Sequence, residues 1–151
     1  MALSAIRISY MANKITSFTD LEAWQQAHLF AVAIYKTTKD FPVSEQFGIT
    51  SQLRRAAVSI PSNIAEGFSR SSTKEKTQFY VVARASLVEV QSQILISRDV
   101  GFLSSDQFDK LSSRAVRVHK LINGLITSVK SWSKPSAKYE KPIARVKSEI
   151  L

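Results

Sequence analysis

The chain contains no cysteine. Disulfides, thiolate metal sites and cysteine nucleophiles are thereby excluded, and the composition fits a reducing compartment. Glycine and proline are scarce, four of each in 151 residues, too few for the tight turns of an all-β chain. No continuous apolar run reaches the roughly 20 residues of a membrane span. Met1 to Lys14 lacks the hydrophobic stretch of a signal peptide. A soluble, cytoplasmic protein without a membrane partner is expected, and Met11 offers an alternative start that would make the first ten residues an upstream extension.

Chemistry is equally thin. The two histidines are His28 and His119, and neither has Glu or Asp three residues before it, as the Glu-x-x-His pairs of a di-metal bundle require. No metalloprotease, phosphate-loop, dinucleotide-binding or nucleophile-elbow motif is present. The expectation is a non-enzyme with no catalytic residue, no cofactor and no metal.

What the sequence has is helical periodicity. Thr19 and Glu22 form a candidate capping box. It is followed by Leu21, Trp24, His28, Ala31 and Tyr35 at three- and four-residue steps, with Ala27 and Ile34 alongside. Leu29, Phe30 and Val32 widen the apolar girth of this helix, as burial on two sides would require; it stops near Pro42. A second helix is expected from Phe47 to Phe68, with Ile49, Leu53, Ala57, Ile60, Ile64 and Phe68 inward. Pro61 lies inside it and predicts a kink, with Ser59, Ser62 and Asn63 placed to satisfy freed backbone groups. Gly67 reads as the end signal. Ser72 and Glu75 cap a third helix with Phe79, Ala83, Leu87, Val90 and Ile94 inward, running to about Arg98 before Gly101 breaks it.

Ser104 and Gln107 cap a fourth helix, with Leu103 able to staple onto Phe108. Phe108, Leu111, Ala115, Val118, Ile122, Leu125, Val129 and Trp132 give it a heptad seam, and Pro135 ends it. Four helices with short connections predict an all-α, antiparallel up-down-up-down four-helix bundle. Residues 1–17 read as an extension, 18–132 as the bundle and 133–151 as a basic tail, where Ile143 to Leu151 could add a short helix.

The net charge of +9 is uneven. Phe18 to Val129 holds 13 lysines and arginines against 10 acids, whereas residues from Lys130 onward hold six bases against two acids. Such a tail is an electrostatic handle for RNA or DNA, or a solvated solubilising segment. Lys110, Arg114 and Arg117 recur on one helical stripe about 90° from the seam, suited to a phosphate backbone or to pairing with a neighbouring helix. Of adjacent Arg54 and Arg55, at most one faces the core edge, where Glu66 and Glu89 are candidate partners. Arg70 stands in the loop after helix two. Aromatic residues are not interleaved with bases along the chain, so Trp24, Phe79 and Tyr80 read as core or interface, and backbone contact is expected over base readout.

The segment Leu53-Arg54-Arg55-Ala56-Ala57-Val58-Ser59-Ile60-Pro61-Ser62-Asn63-Ile64-Ala65-Glu66-Gly67 closely resembles the signature of a bacterial four-helix-bundle family named for proteins encoded in intervening sequences of large-subunit ribosomal RNA genes. Asp20-Leu21-Glu22-Ala23-Trp24, Leu87-Val88-Glu89 and Leu121-Ile122-Asn123-Gly124-Leu125-Ile126 are similar to it as well, and the likeness spans Phe18 to Lys130. The resemblance implies a homopentameric barrel with a central channel. It also implies a relationship to the accessory variability determinant of diversity-generating retroelements, a basic pentamer that binds nucleic acid and a reverse transcriptase. The resulting expectation is a homo-oligomeric accessory protein that binds RNA or DNA. Arg54, Arg55, Arg70, Lys110, Arg114 and Arg117 would act from the bundle, with Lys134, Lys138, Lys141, Arg145 and Lys147 from the tail. The alternative is a protein–protein adaptor for a reverse transcriptase.

Overall fold

The structure is a computed structural model that describes residues 14–132; Pro135, the tail cations Lys134, Lys138, Lys141, Arg145 and Lys147, and the possible start at Met11 lie outside the described residues. Within them the chain is all-helical: α1 (Glu22–Thr38), α2 (Ile49–Ser69), α3 (Thr73–Asp99) and α4 (Ser105–Trp132), with 3-10 turns at Phe18–Asp20 and Val43–Glu45. Each helix packs on its neighbours in the chain, and α1 closes the square against α4. The links reverse the chain each time, which gives the up-down-up-down bundle.

The N-terminal cap sits earlier than the Thr19–Glu22 box expected. Ser17 Oγ accepts from the Thr19 amide at 3.2 Å, and Asp20 Oδ2 accepts from the amides of Thr16 and Ser17, each at 2.9 Å. These bonds, with one from the Thr16 hydroxyl, hold the Asp20 carboxyl below its ordinary range. Leu21 is extended after this turn, so α1 starts without a side-chain cap. Glu22 is thereby free to reach another helix.

Helix α1 is also turned by about a quarter of a revolution from the expected stripe. Ala23, Ala27, Phe30, Ala31, Ile34 and Thr38 are buried, whereas Trp24 is half-buried and His28 and Tyr35 are exposed. The small alanines admit neighbouring helices closely and Phe30 and Ile34 fill the centre. The amphipathic rings of Trp24 and Tyr35 are left at the rim, where polar atoms stay wet.

Helix α2 runs through Pro61, which is buried. Proline has no N–H to offer the carbonyl of Ala57, and the adjoining carbonyls take side-chain donors: Ser62 Oγ on Val58 O and Asn63 Nδ2 on Ser59 O, both at 2.8 Å. Gly67 does not end the helix as expected. It is buried inside α2, where an added Cβ would lie 2.6 Å from Tyr80 Cε1 and 3.1 Å from Phe79 Cβ. The glycine permits α2 and α3 to approach. Lys76 of α3 then donates from Nζ to Phe68 O at 2.7 Å, placing a cation on the negative end of α2.

Ser72 caps α3 as expected, accepting from the Glu75 amide at 3.2 Å, but the aromatic ring inside is Tyr80 and not Phe79. Burial raises the Tyr80 hydroxyl above its ordinary pKa. Gly101 breaks α3 at φ 84°, letting the Phe102 amide return to Ser97 O at 2.8 Å. The Ser104–Gln107 box is reciprocal: Ser104 N donates to Gln107 Oε1 at 2.9 Å and Gln107 N to Ser104 Oγ at 3.1 Å. The α4 seam follows expectation through Leu111, Ala115, Val118 and Ile122, then passes to Ile126 in place of Leu125 before Val129. Leu125 stays half-buried and Trp132 is exposed, because a straight helix drifts from a strict seven-residue repeat.

Ile34, Leu53, Ile60, Ile64, Leu87, Ile94 and Ile122 are almost wholly enclosed. Each contributes roughly 1.5–3 kcal/mol by burial. By length and composition α3 is apolar enough to cross a membrane, which continuous runs alone did not reveal since Arg84 and Glu89 interrupt it. In the bundle it buries Ala83, Leu87, Val90 and Ile94 and leaves Val81, Val82, Val88, Leu95 and Ile96 on its outer side.

Candidate nucleic-acid interface

The α4 stripe emerges on the wall of a groove of ≈ 870 Å³ between α1 and α4. Lys110, Arg114 and Arg117 line it from α4, and Lys36 enters from α1. Lys110 pairs with Asp106 at 2.7 Å along the helix, and Arg117 Nη2 reaches Glu22 Oε1 across to α1 at 2.8 Å. Both pairs are largely exposed, so each is worth at most about 1 kcal/mol. A phosphate could displace the carboxylate at little cost. Arg114 and Lys36 have no hydrogen-bond or ion-pair partner among the described residues.

Arg54 and Arg55 divide as adjacent helical residues must, but neither finds the expected acid. Arg54 Nε donates to Thr38 Oγ1 at 2.9 Å, and its guanidinium lies 4.9 Å from the Tyr35 ring centroid. Thr38 in turn donates to Ile34 O at 2.8 Å, so Arg54 ties α2 to the last turn of α1. Glu66 is taken by Arg70, one helical turn on, and Glu89 accepts from Gln93 Nε2 at 3.1 Å. Arg55 projects to solvent. Arg70 is held twice, by Glu66 and by the Phe79 ring at 4.8 Å, so of the bundle cations it is among the least free to meet a ligand.

The α1–α2 side carries what the linear reading missed. A groove of ≈ 620 Å³ is lined there by Trp24, His28, Val32 and Tyr35 of α1, with Lys36, Lys39 and Arg54 at one end. Trp24 and His28 stack with ring centroids 5.0 Å apart and planes 18° from parallel, while Phe18 abuts Trp24 edge-on at 5.1 Å. Among the described residues no carboxylate lines the groove. Lys36 also lines the α1–α4 groove, so one cation borders both. The signal was the run Trp24, His28, Tyr35, whose rings all carry polar atoms, against the purely apolar Ala23, Ala27, Phe30 and Ile34. Among the described residues no three His, Asp or Glu side chains converge as a metal site would need.

Comparison with solved structures gives a match over 69% of this chain and 97% of the other, with a TM-score of 0.62 and 22% identity. That structure is described as a protein of unknown function from the S23 ribosomal protein family of Bacteroides thetaiotaomicron. At this identity the likeness establishes the fold. No curated protein matches the chain. A family model for the 23S rRNA-intervening sequence protein matches residues 19–124, which takes in all of α1, α2 and α3 and most of α4. The chain belongs to the 23S rRNA-intervening sequence protein family.

Proposed function

We propose that the protein is a non-enzymatic, homo-oligomeric accessory factor that holds RNA through phosphate contacts along the α1–α4 groove. The observation that carries this reading is the rail of Lys110, Arg114 and Arg117 facing Lys36 across one groove, in a family named for ribosomal RNA intervening sequences. Arg55 and the tail cations Lys134, Lys138, Lys141, Arg145 and Lys147 add non-specific attraction. Contacts of this kind position a backbone and do not read sequence.

Assembly would use the outer side of α3. Val88 and Ile96 are each 51% exposed, and Val81, Val82 and Leu95 share that side. A surface this apolar along one helix is suited to a neighbouring subunit. The pentameric ring and a bend of α2 at Pro61 belong to the same proposal, as does the link to diversity-generating retroelements.

The test is light scattering after size exclusion, with and without a structured RNA, at low and high salt. A multimer that shifts with RNA at low salt and not at high salt is the expected result. Charge reversal of Arg114 and Arg117 should weaken binding while leaving the helical content intact. A multimer indifferent to RNA at every salt would overturn the RNA reading and favour a protein partner such as a reverse transcriptase.

A further inference from the structure

We propose that the α1–α2 groove is a stacking site for unpaired bases of an RNA strand, so that the protein distinguishes single-stranded from duplex RNA. The inference rests on the RNA-binding reading above and goes beyond its phosphate contacts.

Single strands are held where aromatic faces accompany cations that follow the backbone. Helix α1 supplies Trp24, His28, Tyr35 and Lys36, and α2 completes the groove with Arg54. His28 is exposed and already lies parallel to Trp24, so it presents its outer face backed by a larger ring. Tyr35 is 43% exposed, and Arg54 covers one side of its ring. Seven helical residues separate His28 from Tyr35, about 10.5 Å along the axis. Stacked bases repeat at about 3.4 Å, so this axial span matches a stack of two bases, with Val32 lining the groove between the two positions.

Charge decides between occupants. Among the described residues the groove offers Lys36, Lys39 and Arg54 with no lining carboxylate. A second copy of this basic chain would meet like charge there, whereas a phosphate backbone would meet complementary charge. Lys36 stands on the edge shared with the α1–α4 groove, so a strand whose bases enter one groove can lay its phosphates along the other. Duplex RNA keeps its bases paired and stacked, and cannot use the aromatic faces.

The experiment exploits the two tryptophans of the chain, Trp24 and Trp132. In a Trp132→Phe background, Trp24 reports the groove by fluorescence. An oligouridylate should quench it, and a duplex RNA of equal length should bind without quenching. An oligothymidylate arm separates RNA from DNA; tighter binding by the deoxy strand would overturn the assignment to RNA. Tyr35→Ala and His28→Ala, both at exposed positions, should each weaken oligouridylate binding roughly 5- to 100-fold and leave duplex binding unchanged. Arg114→Glu with Arg117→Glu should weaken both ligands, which tests the underlying reading separately. Equal losses on both ligands in the ring variants, or no loss on either, would overturn the stacking site while leaving phosphate binding in place. A change in particle mass with unchanged oligouridylate affinity would mark the groove as a subunit contact and overturn the proposal. Failure of both ligands to bind the parent protein would overturn both readings together.

Discussion

Gly67 and Tyr80 are in such close register that a methyl group on the glycine would sit 2.6 Å from the tyrosine ring. The relationship sets the spacing of α2 and α3 at the end of the bundle where the three-residue link joins them. Gly67→Ala gains about 1 kcal/mol of helix propensity, but the clash with a buried ring and with Phe79 Cβ is overpacking worth about 1–3 kcal/mol. A net loss of up to about 2 kcal/mol in urea unfolding is expected. Gly124 is the control: nothing lies within 4 Å of its hypothetical Cβ, so Gly124→Ala should stabilise by about 0.5–1 kcal/mol. Equal effects at the two sites would remove the packing argument.

Arg54 and Arg55 should separate stability from binding. Arg54→Ala removes the bond to buried Thr38 and the contact with Tyr35, with an expected cost of about 1–2 kcal/mol in thermal or urea unfolding. Arg55→Ala should leave unfolding within about 0.5 kcal/mol and show itself, if anywhere, in RNA affinity at low salt.

Salt dependence counts phosphate contacts. If Arg114 and Arg117 each neutralise one phosphate of a single strand, replacing both with Ala should reduce the slope of log affinity against log salt by roughly 1.4. An unchanged slope would show that the α4 stripe is a solvated face.

Tyr80 predicts an alkaline effect. Burial raises its folded pKa above the ordinary tyrosine value. The stabilisation this represents is complete below the unfolded pKa and is lost as pH rises through the folded one. Ultraviolet titration should show one tyrosine ionising late, and Tyr80→Phe should abolish that late step.

Acid titration probes Asp20 with the opposite sign. Its folded pKa is lowered by bonds from Thr16 and Ser17, so the contribution is present above the unfolded value and lost as pH falls through the folded one. Asp20→Asn should flatten the acid limb of the stability profile, read by circular dichroism between about pH 5 and pH 2.

The sequence made α4 nearly transparent, because its cap is two polar residues at fixed spacing and its seam is aliphatic. The class of fold follows from four such segments. What stayed hidden depended on volumes in three dimensions. The choice between Trp24, His28, Tyr35 and Ala23, Ala27, Phe30, Ile34 is decided by how closely α2 and α4 can approach α1, and periodicity alone accepts either face. Gly67 looked like punctuation since its neighbour Tyr80 is thirteen residues on and in another helix. In the α1–α2 groove, Trp24, His28 and Tyr35 share α1, but periodicity turned their rings inward, and Arg54 joins them only through space. The α4 cations were legible because they share a helix.

The square arrangement has a kinetic consequence. Packing joins α1 to α2, α2 to α3 and α3 to α4, all consecutive in the chain, and one pair, α1 with α4, is distant. Most contacts can therefore form while little loop is closed, the condition under which helical domains fold in microseconds to milliseconds. The late event is then the docking of the first helix on the last, across which Arg117 meets Glu22. A transition state with the three consecutive pairs packed and the α1–α4 face still open would give low φ-values to side chains lying between those two helices and higher ones to Ile60 and Leu87.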